Sequence, residues 1–171
     1  SEEGLPDIGR ILAQQHGFKC TVVFSIDPKT GEIDPGTKNN EPGLEALDSA
    51  DLCIMLLRFR EWPDDQMKHF VDYVNAGKPI IALRTATHAF NIPKDRKFAK
   101  YSWSNGDAAY KQGFGKQVLG ETWVNHHGAH GREGTRGIIA TGQGKNPILK
   151  GIEAGNIFGQ ATASYAKGHP L

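Results

Sequence analysis

A glycine-broken loop near the carboxyl-terminal end of the chain carries its densest set of reactive side chains. The stretch VNHHGAHGREGTR, residues 124–136, holds three of the seven histidines together with one acidic residue and two arginines. Imidazoles bind metal ions and exchange protons near neutral pH. The loop therefore predicts either a metal site or a substrate site, and an exposed polar loop is the alternative.

The metal hypothesis rests on His126, His127 and His130, with Glu133 as a further candidate ligand. His126 and His130 lie four residues apart, but the glycines between them disfavour a helix. Any metal site would thus be a loop site, and zinc or a similar divalent ion would suit such ligands. The signal is weaker than an H-E-x-x-H motif, in which the helix itself fixes the ligands.

The substrate hypothesis uses the same loop differently. One of its histidines, His127 or His130, would act as a general acid or base. The predicted substrate contacts from this part of the chain are His126, Glu133 and Arg136. Glycines that let the backbone approach a ligand favour such a site over plain surface. The sequence does not distinguish which of these two histidines would be the acid or base.

Arginines follow two apolar runs elsewhere in the chain. Arg58 and Arg60 come directly after LCIMLL, and Arg84 comes after IIAL. In open α/β sheets, ligands bind beyond the carboxyl ends of the strands. Neighbouring guanidinium groups repel unless carboxylates or an anionic or polyhydroxylated ligand lies between them. We therefore predict substrate contacts here; pairing of these arginines with nearby acids is the alternative.

The turn LRTATHAF, residues 83–90, raises the question of a covalent nucleophile. A strand followed by a sharp turn is where many α/β enzymes present serine or cysteine. Here Thr85 would be the nucleophile and His88 the only local base, and no glycine flanks the threonine. Covalent catalysis is therefore disfavoured. Thr85 is retained as a substrate contact and His88 as a candidate catalytic residue.

The apolar pattern predicts the elements that would position these side chains. The segment SEEGLPDIGRILAQQHGF predicts a helix capped by Ser1 and closed by Gly17. The segments CTVVFSI, ADLCIMLLRFR and KPIIAL predict strands, the second of them covered on both faces. A helix from Pro63 to Gly77, with Met67, Phe70, Val71 and Val74 inward, would join the last two strands into a βαβ unit.

The rest of the chain is less regular. Residues 27–43 form a predicted turn-rich loop, and residues 91–122 predict loops and short elements. GIIAT, residues 137–141, predicts a short strand, and NPILKGI a short helix or turn. A doubly wound sheet normally places a strand before each helix. Because a helix comes first here, we expect the sheet to lack its first strand.

Composition limits the classes of protein and partner. The 171 residues are 38% hydrophobic, which suits one globular domain over residues 1–171. A formal charge of +1 gives no basis for nonspecific nucleic-acid binding. The apolar runs are too short to span a membrane, so a soluble protein is predicted, with the compartment, cytoplasmic or exported, left open. Cys20 and Cys53 lie in apolar runs and predict buried thiols.

Three blocks together resemble the ThuA-like family, named for trehalose utilisation. They are SADLCIMLLRFREWPDDQM, GKPIIALRTATHAF and GFGKQVLGETWVNHHGAHGREGTRGII, and the resemblance extends from Ser1 to about Gly159. It implies a flavodoxin-like, doubly wound, mostly parallel sheet of the class I glutamine amidotransferase type. It also implies that the first, central strand is missing from this chain, and raises the question of a further C-terminal continuation.

The resemblance implies a role in carbohydrate metabolism, with a sugar or oxidised-sugar ligand. The glutamine-hydrolysing relatives carry a catalytic cysteine in the turn after IIAL, whereas this turn reads Arg84-Thr85-Ala86, so glutaminase activity is not expected. Trp123 and Trp103 could offer an apolar face to a sugar ring. Two alternatives stay open: a metal-dependent hydrolase and a noncatalytic binding or assembly module. Self-association into a homo-oligomer is left open too.

Overall fold

The computed structural model describes residues 2–125, 129, 132–152 and 158–160, which form a mixed helix and strand structure. The chain divides into two compact units, Ser1–Trp123 and Val124–Leu171. The first unit contains α1 (Gly4–His16), β1 (Cys53–Met55), α2 (Asp64–Asn75) and β2 (Ile80–Ala82). The second contains β3 (Gly134–Arg136) and β4 (Phe158–Gln160). The α/β character predicted from the sequence is confirmed at this coarse level.

The predicted βαβ unit is present in the first unit. Strands β1 and β2 are parallel, and Cys53 lies opposite Ile80. Helix α2 begins one residue after Pro63 and has Asp64 and Asp65 in its first turn, where carboxylates stabilise the positive helix end. It ends before Gly77, whose φ of 67° lies in the left-handed region that glycine adopts without strain.

The core of the first unit lies under α2. Met67, Phe70 and Val71 are buried as predicted, and Val74 is half-buried. Four rings pack together at its centre, with ring centroids 5.0–5.9 Å apart and mostly edge-to-face: Trp62, Phe70, Phe90 and Phe114. Such ring pairs add about 0.5–1.5 kcal/mol each beyond their buried area. We call these four residues the aromatic core.

Helix α1 forms as predicted but packs poorly. Gly17 closes it with a φ of 74° and donates its N–H to the carbonyl of Leu12. The cap residue is Glu3, which makes no side-chain cap bond, and Ser1 lies outside the described residues. None of the residues of α1 is buried, although the helix carries the predicted apolar stripe. The stripe therefore has little to pack against.

The prediction of a strand at residues 20–26 is wrong. Only Ile26 pairs, in a single antiparallel bridge to Ile33. Among the residues that the structure describes, none makes a backbone hydrogen bond to residues 20–24. A strand needs partners for its backbone groups, and residues 20–24 have none among the described residues. The predicted burial of Cys20 is wrong for the same reason, since its side chain is exposed.

Strand β1 is also shorter and less covered than predicted. It spans three residues, two of them only half-buried, because β2 pairs with it on one side alone. Residues 91–122 do form short elements: 3₁₀ turns at Ala99–Tyr101 and Ala108–Tyr110 and a π-helical turn at Gly115–Leu119. The loop at 27–43 contains turns capped by Asp27 and Asp34, as expected.

In the second unit, the strand lies earlier than predicted. Residues 137–141 form no strand, whereas Gly134–Arg136 pairs antiparallel with Phe158–Gln160. A strand forms where a partner is in register, which apolar content alone does not locate. The short helix predicted in NPILKGI is confirmed as a 3₁₀ turn at Pro147–Leu149. In the described part of the chain, no helix is long and apolar enough to cross a membrane.

Candidate binding site beyond β1 and β2

The segments that follow β1 and β2 lie side by side. The Phe59 N–H donates to the carbonyl of His88 over 3.0 Å, and the Arg60 N–H donates to that of Ala89 over 2.6 Å. Asn91 then donates to the carbonyl of Arg60, so the pairing continues as a parallel bridge. These bonds join the turn after β1 to the 3₁₀ turn Arg84–His88, which follows β2. The carboxyl ends of the two strands thus share one edge, which we call the rim.

Two residues at the rim adopt a strained backbone. Phe59 has a φ of 53° and Arg84 a φ of 42°, both in the left-handed region. For a residue with a β-carbon, this conformation costs about 1–2 kcal/mol. Strained residues of this kind cluster at functional sites, where the surrounding structure holds them in place. In the turn after β2, the residue with the strained backbone is Arg84 rather than a serine or cysteine. This turn therefore presents no nucleophile at its strained position.

Four rings gather at the rim, and we call them the rim cluster: Phe59, His88, Trp103 and Trp123. The His88 ring lies 5.0 Å from that of Phe59 and 5.2 Å from that of Trp123, centroid to centroid. Trp103 and Trp123 meet edge to face at 5.2 Å. His88 is 7% exposed, whereas the other three rings are half-buried and keep part of their surface open. The cluster therefore offers partly exposed aromatic surface around one imidazole.

The imidazole of His88 has a polar neighbour within its own turn. Its Nδ1 lies 3.3 Å from the hydroxyl of Thr87, and which atom donates depends on the tautomer. Gly115 backs the same turn: a β-carbon there would lie 2.0 Å from the carbonyl oxygen of Thr87. Only glycine allows the π-helical turn to approach so closely. The position of His88 is therefore fixed by backbone packing from behind.

The predicted arginines occupy different surroundings. Arg58 and Arg84 are exposed at the rim, and the guanidinium carbon of Arg58 lies 5.9 Å from the Phe59 ring centroid. Thr85, beside Arg84, is half-buried. Such exposed guanidinium groups can approach an anionic or polyhydroxylated ligand.

Arg60 instead contacts the loop at residues 34–38. Its Nη1 donates to the carbonyl of Thr37 over 2.7 Å, and its Nε is buried without a hydrogen-bond partner among the described residues. The pKa of Asp34 is lowered, mainly by hydrogen bonds from Thr37 and Gly36, with a smaller contribution from the Arg60 charge. Arg60 thus joins the rim to this loop.

The histidine loop lies in the second unit and is described only in part. His126, His127 and His130 fall outside the described residues, so the metal and acid–base hypotheses that depend on them stay predictions. Glu133 is exposed, and its carboxylate accepts the N–H of Ala129 over 2.7 Å. Arg136 is exposed in β3. Within the described ranges, no three His, Cys, Asp or Glu side chains come together as a metal site.

Two residues of interest were not singled out from the sequence. Phe59 is the ring that contacts the other three rings of the rim cluster, and its position between two arginines after an apolar run could have indicated it. Glu41 is buried and accepts hydrogen bonds from Trp62 Nε1 and from Ser25 Oγ. Burial raises the pKa of Glu41, against the opposing effects of the Arg60 charge and these two bonds. Nothing in its sequence neighbourhood indicated that burial.

Comparison with known proteins adds no relative: no family model, no curated protein and no solved structure matches this chain. Its function can therefore be proposed only from the chemistry of the described residues and from the resemblance of three sequence blocks to the ThuA-like family.

Proposed function

We propose that this chain is a flavodoxin-like α/β domain, similar to ThuA-like proteins, that binds a carbohydrate-derived small molecule at the rim. The observation that carries the proposal is the rim cluster, flanked by the exposed side chains of Arg58 and Arg84. Small-molecule sites combine apolar and aromatic surface with a few oriented polar groups. Both components are present within one unit of the molecule.

The aromatic rings support a sugar rather than a flat polar ligand. A sugar ring has apolar C–H faces and a polar perimeter, so an indole can cover one face while hydroxyls reach outward. Trp103 and Trp123 meet edge to face, which gives a cornered surface rather than a flat one. A ligand seated there would contact ring surface and the polar side chains beside it together.

The arginines favour a ligand with a carboxylate or dense hydroxyls. Guanidinium groups form charge-assisted, often bidentate hydrogen bonds to carboxylates. Arg84 is exposed at the rim and has a strained backbone conformation, and a binding role at the rim would give a reason for that strain. An oxidised sugar would use both arginines, whereas a neutral sugar would depend more on the rings.

Enzymatic turnover in sugar utilisation belongs to the proposal, without glutaminase chemistry. Of the candidate acid–base residues, His88 is the one that the described structure places at the rim. Imidazole is the side-chain group that most often acts as a general acid or base. The turn that would carry a cysteine nucleophile reads Arg84-Thr85-Ala86 instead.

Ligand titration monitored by tryptophan fluorescence tests this function. Disaccharides, keto-sugars and sugar acids would be titrated, since two of the three tryptophans lie in the rim cluster. We expect a sugar-dependent change that Trp123→Ala weakens at least tenfold in Kd, or about 1.4 kcal/mol. Arg10→Ala is the matched control, because Arg10 is exposed on α1 and pairs only locally with Asp7.

Two substitutions of Arg84 separate the effect of its charge on ligand binding from the effect of its strained backbone. Arg84→Gly relieves the left-handed strain and Arg84→Ala keeps it, while both remove the guanidinium. We expect both variants to bind sugar acids at least tenfold more weakly, and neutral sugars about as well as before. Binding of every sugar class unchanged in Trp123→Ala and Arg84→Ala would overturn the rim as the site.

A further inference from the structure

The hydroxyl of Thr87 contacts two groups at once within the 3₁₀ turn Arg84–His88. Its Oγ1 lies 3.5 Å from the carbonyl oxygen of Arg84, three residues earlier, and 3.3 Å from Nδ1 of the His88 ring. The first contact has a fixed direction, since a carbonyl oxygen only accepts. Threonine hydroxyls in helical turns often donate to a carbonyl three or four residues earlier. The direction of the second contact follows from the first.

A hydroxyl has one proton to donate and two lone pairs that accept. If Oγ1 of Thr87 donates to the Arg84 carbonyl, it can only accept at Nδ1, and the neutral imidazole must then carry its proton on Nδ1. If Oγ1 donated to Nδ1 instead, two oxygen acceptors would face each other at the Arg84 contact. One tautomer of neutral His88 therefore satisfies both contacts, whereas the other satisfies one of them.

The backbone around Thr87 holds its hydroxyl in place. Threonine is branched at the β-carbon, so its χ1 angle has few allowed rotamers. Behind the turn, Gly115 packs so closely that a β-carbon there would lie 2.0 Å from the Thr87 carbonyl oxygen. Ala86 and Ala89, on either side of Thr87 and His88 in the chain, are almost fully buried. The turn therefore has little freedom to move the hydroxyl away from the ring.

The polar side chains at the rim are rich in hydrogen-bond donors. Guanidinium groups donate and never accept, so the exposed Arg58 and Arg84 can bind only acceptor groups of a ligand. The indole N–H groups of Trp103 and Trp123 are donors as well. A sugar hydroxyl both donates and accepts, so a donor-rich site also needs an acceptor for the hydroxyl proton. In the Nδ1–H tautomer of His88, the ring lone pair lies on Nε2 and supplies that acceptor.

We propose that Thr87 is a positioning residue that holds neutral His88 as the Nδ1–H tautomer, and that Nε2 is the ring nitrogen that accepts a ligand hydroxyl at the rim. The second part rests on the proposed function, because it requires a hydroxylated ligand there. It also narrows the ligand class to sugars and sugar acids with a hydroxyl that donates to Nε2. The carboxylate or the other hydroxyls of such a ligand would accept from the arginines.

NMR of the full 171-residue chain without ligand measures the tautomer. In long-range proton–nitrogen correlation spectra of imidazole rings, a protonated ring nitrogen and one with a lone pair have well-separated nitrogen shifts. The spectra would be recorded at a pH at which the His88 ring is neutral. Among the seven histidines, the signals of His88 are those lost in His88→Gln. We expect a protonated Nδ1 and an unprotonated Nε2.

Three variants test the part played by Thr87. Thr87→Val removes the hydroxyl at nearly constant size and should lower the ratio of the Nδ1–H to the Nε2–H tautomer at least about threefold, the scale of one net hydrogen bond. Thr87→Ser keeps the hydroxyl and should restore the ratio, which a purely structural role of Thr87 would not predict. Thr30→Val is the matched control, because Thr30 is exposed and accepts the N–H of Glu32 nearby.

Ligand titration by tryptophan fluorescence extends the test to binding. We expect Thr87→Val to weaken the binding of hydroxylated sugars and sugar acids at least about threefold in Kd, and Thr87→Ser and Thr30→Val to bind them as the unsubstituted protein does. The tautomer is measured without ligand, so it is independent of whether the rim binds a sugar.

The possible failures are therefore distinguishable. A protonated Nε2 in the neutral ring of the unsubstituted protein would overturn the inference, whether or not a sugar binds. An unchanged tautomer ratio in Thr87→Val would overturn the role of Thr87. The expected tautomer without any sugar binding would overturn the proposed function and the role of Nε2, but not the tautomer assignment. Because the unsubstituted protein gives the tautomer by itself, the test holds even where Thr87→Val fails to fold.

Discussion

The two sides of the first unit show how much packing depends on a complete set of neighbours. Under α2, neighbouring rings of the aromatic core have centroids 5.0–5.9 Å apart and are almost fully buried. By contrast, α1 is a helix of similar length with an equally apolar stripe, yet it has no buried residue and lines a cavity of about 540 Å³. The apolar pattern is comparable in the two helices, whereas the partners available to them differ.

The largest expected effect contrasts the two helices directly. Phe70→Ala should lower the free energy of unfolding by about 3–5 kcal/mol, because it empties the centre of the aromatic core. Leu12→Ala should cost less than about 1 kcal/mol, since Leu12 is only half-buried beside a space that already exists. Urea denaturation measures both. Equal losses would show that the α1 side is packed as tightly as the α2 side.

An intermediate effect is expected where glycine permits a close backbone contact. Gly115→Ala places a β-carbon 2.0 Å from the Thr87 carbonyl oxygen and should destabilise the protein by about 1–3 kcal/mol. Gly106→Ala is the control, because no atom lies within 4 Å of its β-carbon position; its effect should stay within about 0.5 kcal/mol. Thermal denaturation of both variants measures the difference. A Gly115→Ala protein as stable as the control would contradict the close contact behind His88.

The smallest effect concerns Glu41, which is buried and accepts a hydrogen bond from Trp62 of the aromatic core. Burial raises its pKa in the folded state above the usual 4.5. The stabilising contribution of protonated Glu41 is therefore complete below pH 4.5 and is lost as the pH rises through the raised value. Glu41→Gln, which cannot ionise, should be more stable relative to the unsubstituted protein at pH 8 than at pH 4.

Denaturant midpoints at the two pH values measure this difference. Glu45→Gln supplies the control, because Glu45 is exposed a short way along the chain. If the advantage of Glu41→Gln is the same at both pH values, ionisation of Glu41 does not limit stability.

The sequence predicted local elements better than their pairing. The bounds of α2 and the closure of α1 at Gly17 came from capping residues and apolar spacing, which act within a few residues. The strand at residues 20–26 was predicted from β-propensity and is absent, because a strand also needs a neighbour in register. In the second unit, for the same reason, a strand was predicted at 137–141, whereas the observed strand spans 134–136.

The candidate site was predicted in part. Arg58, Arg84 and His88 were identified as rim residues because they follow apolar strands, and the structure places them beyond β1 and β2. From the sequence, Arg60 was predicted to contact substrate, as were Arg58 and Arg84. Its guanidinium instead contacts the loop at Thr37. Phe59 was missed as the ring that joins His88 to both tryptophans, because that contact depends on a left-handed backbone at Phe59.

The sequence by itself determined where α2 begins and ends, where α1 ends and which strand ends carry charge, since capping and hydrophobic periodicity are encoded within one or two turns of chain. Only the tertiary structure decided which apolar faces are covered, that Glu41 is buried, and that four rings meet at the rim. The physical reason is that burial and strand pairing are properties of residues distant in the chain, and each depends on whether a complementary surface is present.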